Sequence, residues 1–293
     1  MAENIISQEK LLGAVDRILQ KRSIAARCSD KQPMTGPLGI VLGMTRDHSN
    51  DKLKIARKEI TPVMKTIRTE FSEEALQDLQ KIYGEDIYDV LGHYVVDDLA
   101  YKIDADYITM IKARATSIKA LVFPAGDTNN SLWSVAQSVA ITVNKSLADL
   151  PISDNRSAAG FAVVSSNIGA LLAITLGVRT NEDQAEDDSP SYLGRIGGVD
   201  YYIDYTHPND GTASVVFGIK GNGVSKGSTI FSPYTQEWME ANDASTGEKI
   251  YFLHDRTGMT INPLDDEYYN EGAGDSAFLA KFDVDLSGLQ IYS

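Results

Sequence analysis

The sequence predicts an α+β fold, and three observations carry that expectation. Apolar residues recur at helical spacing through much of the first half. One uninterrupted stripe at a spacing of four marks a helix of unusual length. The second half breaks into short apolar runs bounded by Gly, Pro, Asn and Asp, the pattern of strands and turns. Helices gathered ahead of strands indicate α+β rather than alternating βαβ units.

The helical half opens with a weak amphipathic stretch within residues 1–31, where Ile5, Leu11, Leu12, Val15, Ile18 and Leu19 share a face. Two prolines and two glycines in Gln32-Pro33-Met34-Thr35-Gly36-Pro37-Leu38-Gly39 forbid its continuation and turn the chain. Ile40 to Met44 then reads as a strand, and Lys54 to Ile60 as the returning arm of a hairpin across a polar turn. Ser72 is a good N-cap, followed by Glu73 and Glu74 where the helix dipole favours anions. That helix runs to about Tyr83, and Gly84 interrupts it. Beyond it, Ile87, Leu91, Val95, Leu99, Ile103, Tyr107 and Ile111 form the long stripe, widened by Val90, Tyr94 and Ile108. A helix over 86–115 would be about 45 Å long at 1.5 Å per residue, far above the mean of roughly 11 to 12 residues. A helix of that length serves as a strut.

The remaining elements follow from shorter patterns. Strands are predicted over 118–123, 160–165, 193–205, 214–219, 229–232, 249–254 and 278–286, and helices over 132–150 and 167–176. The acidic run 181–188 reads as a solvated loop.

Composition narrows the function. At 293 residues and 43% hydrophobic, the chain buries a core without staples. Cys28 is the single cysteine, which excludes an intrachain disulfide and fits a reducing compartment. Its neighbours place it in a polar, mobile arm. No stretch approaches the roughly 18 apolar residues of a membrane span, and Glu3 and Glu9 make the opening unlike a secretory signal. A soluble chain made in the cytosol is expected. The formal charge of −14 argues against a nucleic-acid reader, which needs a basic patch against phosphates. Acidity instead keeps the subunit soluble.

No motif concentrates chemistry. Gly221 to Ser228 resembles a phosphate cradle superficially, but Lys226 and Gly227 stand in reversed order for a P-loop, so a flexible surface turn is expected. The acidic groups Glu182, Asp183, Glu186, Asp187, Asp188 and Asp265, Asp266, Glu267 lack calcium-loop spacing and read as solvent-facing. His48, His93, His207 and His254 stand singly, and no Gly-x-Ser-x-Gly elbow occurs. No catalytic, cofactor-binding or metal residue is predicted.

The order of segments does resemble a family. Gln32-Pro33-Met34 with Gly36, Pro37 and Gly39 is similar to the entry into the extended loop of T-even (T4-like) phage major capsid proteins. Leu76 to Gly84 resembles that family's approach to its spine helix, and Phe161 to Ile168 its strand-then-helix segment. Leu193 to Gly198 leads into Tyr201 to Asp204 as the family does. The strongest likeness lies in three colinear blocks: Val216 to Gly221, with Gly218, Lys220 and Gly221; Ile230 to Tyr234, with Pro233 and Tyr234; and Arg256 to Pro263, with Arg256, Asn262 and Pro263.

The resemblance implies an HK97-like capsid fold. It maps an N-terminal arm to 1–33, an E-loop to 34–62 and a peripheral domain to 63–127 with the spine helix at about 86–115. An axial domain takes 128–222, and 223–293 returns to the peripheral domain. It implies a major capsid protein that assembles into hexamers and pentamers, forming an icosahedral or prolate virion shell around double-stranded DNA that is held without specific binding. Implied partners are itself and portal, vertex or decoration, and scaffolding proteins, with assembly in the host cytoplasm and no cofactor or membrane. Arm and E-loop would reach across neighbours, with Leu38, Ile40, Leu42, Met44, Arg46 and Lys54 as contacts. The alternative for the apolar ones is packing against their own hairpin. The stretch from Met44 to Thr61 is too short for the domain inserted there in larger relatives, and Met1 leads us to expect an uncleaved chain. The other readings are an encapsulin-type nanocompartment shell, a hydrolase with an unrecognised carboxylate pair and a tail structural protein.

Overall fold

The computed structural model describes residues 8–47, 52–70, 72–84, 87–123, 131–150, 160–176, 191–206, 213–221, 227–242, 249–269 and 276–286. In chain order these are α1 (Gln8–Arg22), α2 (Ile24–Cys28), β1 (Asp30–Lys31), β2 (Gly39–Asp47), β3 (Lys52–Ile60) and β4 (Val63–Glu70). Next come α3 (Glu73–Tyr83), the strut α4 (Ile87–Arg114), β5 (Ala115–Ser117), β6 (Leu121–Val122), α5 (Leu132–Ala148), β7 (Gly160–Ser165) and α6 (Ser166–Leu176). The chain continues through β8 (Tyr192–Ile196), β9 (Val199–Asp204), β10 (Ser214–Ile219), β11 (Thr229–Asn242), β12 (Lys249–Ile261), a π-turn (Asp265–Tyr269) and β13 (Ser276–Asp285). The mixture of helix and strand is the one predicted.

The larger sheet runs β5-β13-β10-β7-β9-β8, with β6 also beside β13. Both of its faces are buried, and period-two alternation divides its side chains between two cores. Phe161, Val163, Tyr202, Val216 and Leu279 join α1, α2 and α4 on one side. Ala162, Val164, Tyr201, Val215, Phe217, Ala280 and Phe282 meet α5 and α6 on the other. Burial on both faces explains why these strands read as unbroken apolar runs. β5, β6 and β13 fall in segments expected to be peripheral, yet they share this sheet with β7 to β10.

On the strut, Leu91, Val95, Leu99, Ile103, Tyr107, Ile108 and Ile111 are buried as predicted, together with Val96 and Ala100. A spacing of four advances about 40° per step around a 3.6-residue turn, so the stripe winds around the helix. It is therefore covered by α1 and α2 and also by β4, β12 and β13. Tyr94 is a correction: 74% exposed, it stands off this winding seam. Gly92 lets α1 close in, since a Cβ there would meet Ile18 Cδ1 at 3.1 Å. Residues 8–28 thus lie against their own chain, and Leu11, Val15 and Ile18 are core residues. Cys28 is likewise corrected: it is fully buried, and burial pushes its thiol well above the usual range.

The smaller sheet runs β1-β11-β12-β4. β11 and β12 extend well beyond the predicted 229–232 and 249–254, because a bulge between Pro233 and Thr235 lets the pairing pass the proline. β4 was not predicted, and the single strand expected over 193–205 is a hairpin. Gly197 and Gly198 turn it with φ of 58° and 87°, the backbone that a tight hairpin turn requires. Of the strand predicted over 118–123 only Leu121–Val122 forms one, β6; β5 lies just ahead of the predicted span, and both pair parallel to β13. The loop 181–188, His48 and His207 lie outside the described residues, as does 222–226 of the glycine-rich segment.

Candidate assembly interface

β2 and β3 form a separate two-stranded ribbon with Ile40 opposite Glu59, Leu42 opposite Arg57, Met44 opposite Ile55 and Arg46 opposite Leu53. Ile40, Leu42, Met44, Leu53, Ile55, Arg57 and Glu59 share its outer face, since paired residues point the same way. Ile40 is 62% exposed, Leu53 61% and Ile55 47%; Leu42 is exposed and Met44 partly buried. Leu38, 58% exposed, immediately precedes β2 at the ribbon's base. The side chain of Arg46 is outside the described set, though its backbone pairs within the ribbon. The parity of Lys54 puts it on the inner face, where its ammonium lies 5.4 Å from the centre of the Tyr268 ring.

The inner face packs on the body of the same chain. Val41 and Ile60 join Met34, Ile230 and Tyr234 in a small cluster, while Ala56 joins Leu150, Ile219, Leu264 and Phe278. Two glycines make room for this cluster, because a Cβ at Gly39 would meet the Met34 Cε at 2.7 Å and one at Gly258 would meet the Ile60 Cδ1 at 2.8 Å. Gln32 serves as a substitute strand residue: its side-chain amide donates to the Leu42 carbonyl at 2.6 Å and accepts from the Leu42 amide at 2.8 Å. Pro33 is exposed between two residues whose amides, Gln32 and Met34, donate to β11 at Phe231 and Pro233.

Further along the ribbon, Gly43 lies so close to Asn262 that a Cβ would fall 2.1 Å from its Oδ1. Asn262 donates to the Gly227 carbonyl at 2.8 Å and accepts from the Leu264 amide at 3.1 Å, capping the turn in which Pro263 is buried. Within that turn Asp266 accepts from Lys58 of β3 at 2.7 Å and from Arg114 at the end of the strut at 2.5 Å. Burial raises the Asp266 carboxyl, but the hydrogen bonds from Lys58 and Arg114 outweigh it and hold the group below its ordinary range. Tyr268 donates to the Ile55 carbonyl at 3.3 Å.

The other motif residues secure this frame. Gly221 passes beneath Ser29 and Asp30, where a Cβ would sit 2.2 Å from the Asp30 nitrogen, and its amide donates to the Cys28 carbonyl. Gly218 leaves room for Leu279 and Ser228. Lys220 pairs with buried Asp200 at 2.5 Å. Arg256, partly buried, pairs in the sheet with Thr235 and Met64. These positions converge around the ribbon's seat and the β11–β12 pair.

Several contributors were missed from sequence. Leu53 and Ile55 complete the outer face, a signal available from period-two alternation in 53–59. Asp104 is fully buried on the strut, accepting from Ser23 Oγ at 2.7 Å, Ile24 N at 2.9 Å, Ala25 N at 3.0 Å and Tyr205 at 3.4 Å. It thereby caps α2 from another element. Burial raises its pKa to about 6 against the pull of those donors. Among the described residues no group of three or more His, Cys, Asp or Glu is placed to hold a metal, and no helix is long and apolar enough to cross a membrane.

A sheet buried on both faces, a strut helix beneath it and a projecting ribbon define the HK97-like shell fold. The same fold occurs in a virus-like particle from Pyrococcus furiosus (10% identity, TM-score 0.53, covering 94% of this chain and 96% of that one). It also occurs in the capsid of cyanophage P-SCSP1u (11% identity, TM-score 0.51, 90% and 88%). The SrpI encapsulin of Synechococcus elongatus shares it at 10% identity and TM-score 0.50, over 90% of this chain and 88% of that one. Residues 46–284 match the family model of Major capsid protein Gp23, and the chain belongs to that family. A major capsid protein of Vibrio phage KVP40 is 19% identical over 237 residues, 73% of this chain. The chain spans under half of that relative's length, 46%.

Proposed function

We propose that this chain is the building unit of a virion shell, closing into hexameric and pentameric rings through heterologous contacts. The carrying observation is the ribbon's outer face: Ile40, Leu42, Leu53 and Ile55 lie exposed together while the opposite face is fixed to the chain's own body. Two strands alone are marginal in water, and a solvent-facing apolar ribbon is an aggregation hazard unless something covers it. A neighbouring copy is the occupant that shell assembly supplies. Each of these side chains is already about half covered, so covering the rest contributes on the order of 1 kcal/mol, roughly half the 1.5–3 kcal/mol of a full burial.

On this reading 34–62 is the E-loop, 63–127 and 223–293 the peripheral domain, 128–222 the axial domain, and 1–33 an arm whose described helices fold back on the strut. Leu38, Ile40, Leu42, Met44 and Arg46 are contacts, and Lys54 supports the ribbon from below. The net charge of −14 suits a wall that encloses double-stranded DNA without gripping it. Portal, scaffolding and decoration proteins would be further partners, and the shell would assemble in the host cytoplasm. The role requires no catalysis.

The test is negative-stain electron microscopy and sizing chromatography of the purified chain beside I40D/I55D. Wild type should yield shells, tubes or rings, and the variant soluble subunits with an unchanged circular-dichroism melt. Shells of normal yield from the variant would remove the ribbon from the interface. The likeness to the SrpI encapsulin favours a second reading, a nanocompartment shell, which co-purification of a protein cargo rather than nucleic acid would identify.

A further inference from the structure

Among the described residues the ribbon shares no backbone ladder with either sheet, so its inclination depends on side-chain attachments. There are two. One lies at the base, where Gln32 holds Leu42 and Met34 fills the space beside Gly39. The other lies further along, where the turn 262–268 meets Gly43, Ile55 and Lys58. Two separated attachments fix the angle of a rigid ribbon, whereas one leaves it free to swing. The second is tied elsewhere too, because Asp266 also accepts from Arg114 at the last turn of the strut. Its neighbour Asp265 accepts from the Ala277 amide, which joins the turn to β13.

We propose that Asp266 is the clamp that sets the inclination of the ribbon, coupling it to the end of the strut. A planar carboxylate shared by an ammonium and a guanidinium fixes three elements at one point, with geometric specificity that a single pair lacks. Asp266 is not at the proposed contact face, so its effect there is one of positioning. From Lys58 to the start of β3 is six residues, about 20 Å at roughly 3.3 Å each. A swing of about 10° would then move the far end by about 3.5 Å, enough to break side-chain contact with a neighbour. The link to shell geometry rests on the capsid reading; the clamp itself does not.

Hydrogen exchange followed by mass spectrometry on unassembled subunits tests the clamp directly. D266A should accelerate exchange of amides in 53–60 by tenfold or more, leaving α5 and β7 unchanged. R114M should accelerate the same amides at least threefold, although Arg114 has no hydrogen bond to the ribbon among those described, because coupling acts through Asp266. K58R should keep wild-type exchange. Unchanged exchange in D266A, or in R114M, overturns the proposal. Particle diameters in electron micrographs form a separate arm. Wild type giving uniform shells and D266A giving mixed diameters supports control of shell geometry, and uniform D266A shells overturn that part. Failure of wild type to assemble would count against the capsid reading alone, since exchange still decides the clamp.

Discussion

Asp104 poses a contest between burial, which disfavours its charge, and four donors, which favour it. Burial wins, raising the carboxyl from 3.8 to about 6. A raised folded-state value means that stability is fully present below the unfolded pKa and is lost as pH rises. The loss falls between about pH 4 and pH 6, where the unfolded chain ionises and the folded one resists. A shift of about two units at 1.36 kcal/mol each corresponds to about 3 kcal/mol. D104N keeps the shape and an acceptor for the α2 amides but cannot ionise. Urea unfolding of unassembled subunits from pH 4 to 7.5 should show the variant gaining on wild type by about 2–3 kcal/mol across the series. Other titrating groups are common to both proteins and cancel. A difference that stays flat with pH, or moves in favour of wild type, would refute the reasoning. It would mean that the donors dominate and that Asp104 is an ionised cap.

Two further substitutions probe the frame around the ribbon. G221A places a methyl 2.2 Å from the Asp30 nitrogen, and backbone cannot yield as a side-chain end can. Its urea midpoint should fall by the equivalent of about 3 kcal/mol, the upper part of the overpacking range; an unchanged midpoint would show that residues 28–30 do not lie over Gly221. Q32A removes both hydrogen bonds to Leu42, a loss of about 1–3 kcal/mol. It should raise hydrogen exchange selectively in 39–44, and equal exchange in the two proteins would show that the amide does not hold the ribbon.

Features legible in the sequence were those decided locally. Ser72 caps α3 through the Ala75 amide, three residues away, and Gly84 ends it with φ of 56°. The ribbon was bounded by its prolines and glycines, and the strut by its stripe. What escaped depends on distant partners. β4 was hidden because inward-pointing Lys65 breaks its apolar alternation, and that lysine is buried against Asp106 of the strut. Asp104 sits in an apolar seam and reads as a surface residue until α2 is placed against it. Asp266 reads as part of a solvated acidic run, yet its two partners lie 208 and 152 residues away. Lys54 was expected among the contacts, and alternation places it on the face opposite Leu53 and Ile55.

The shared sheet has a mechanical consequence. β10 is bonded to β13 on one side and β7 on the other, five residue pairs each. A load along the strands would shear many of these bonds at once instead of unzipping them singly. Because α5 and α6 press on one face and the strut on the other, neither layer can peel away without opening a dry core. On the proposed reading, a wall of such subunits would yield at the seams between copies before any one subunit tore.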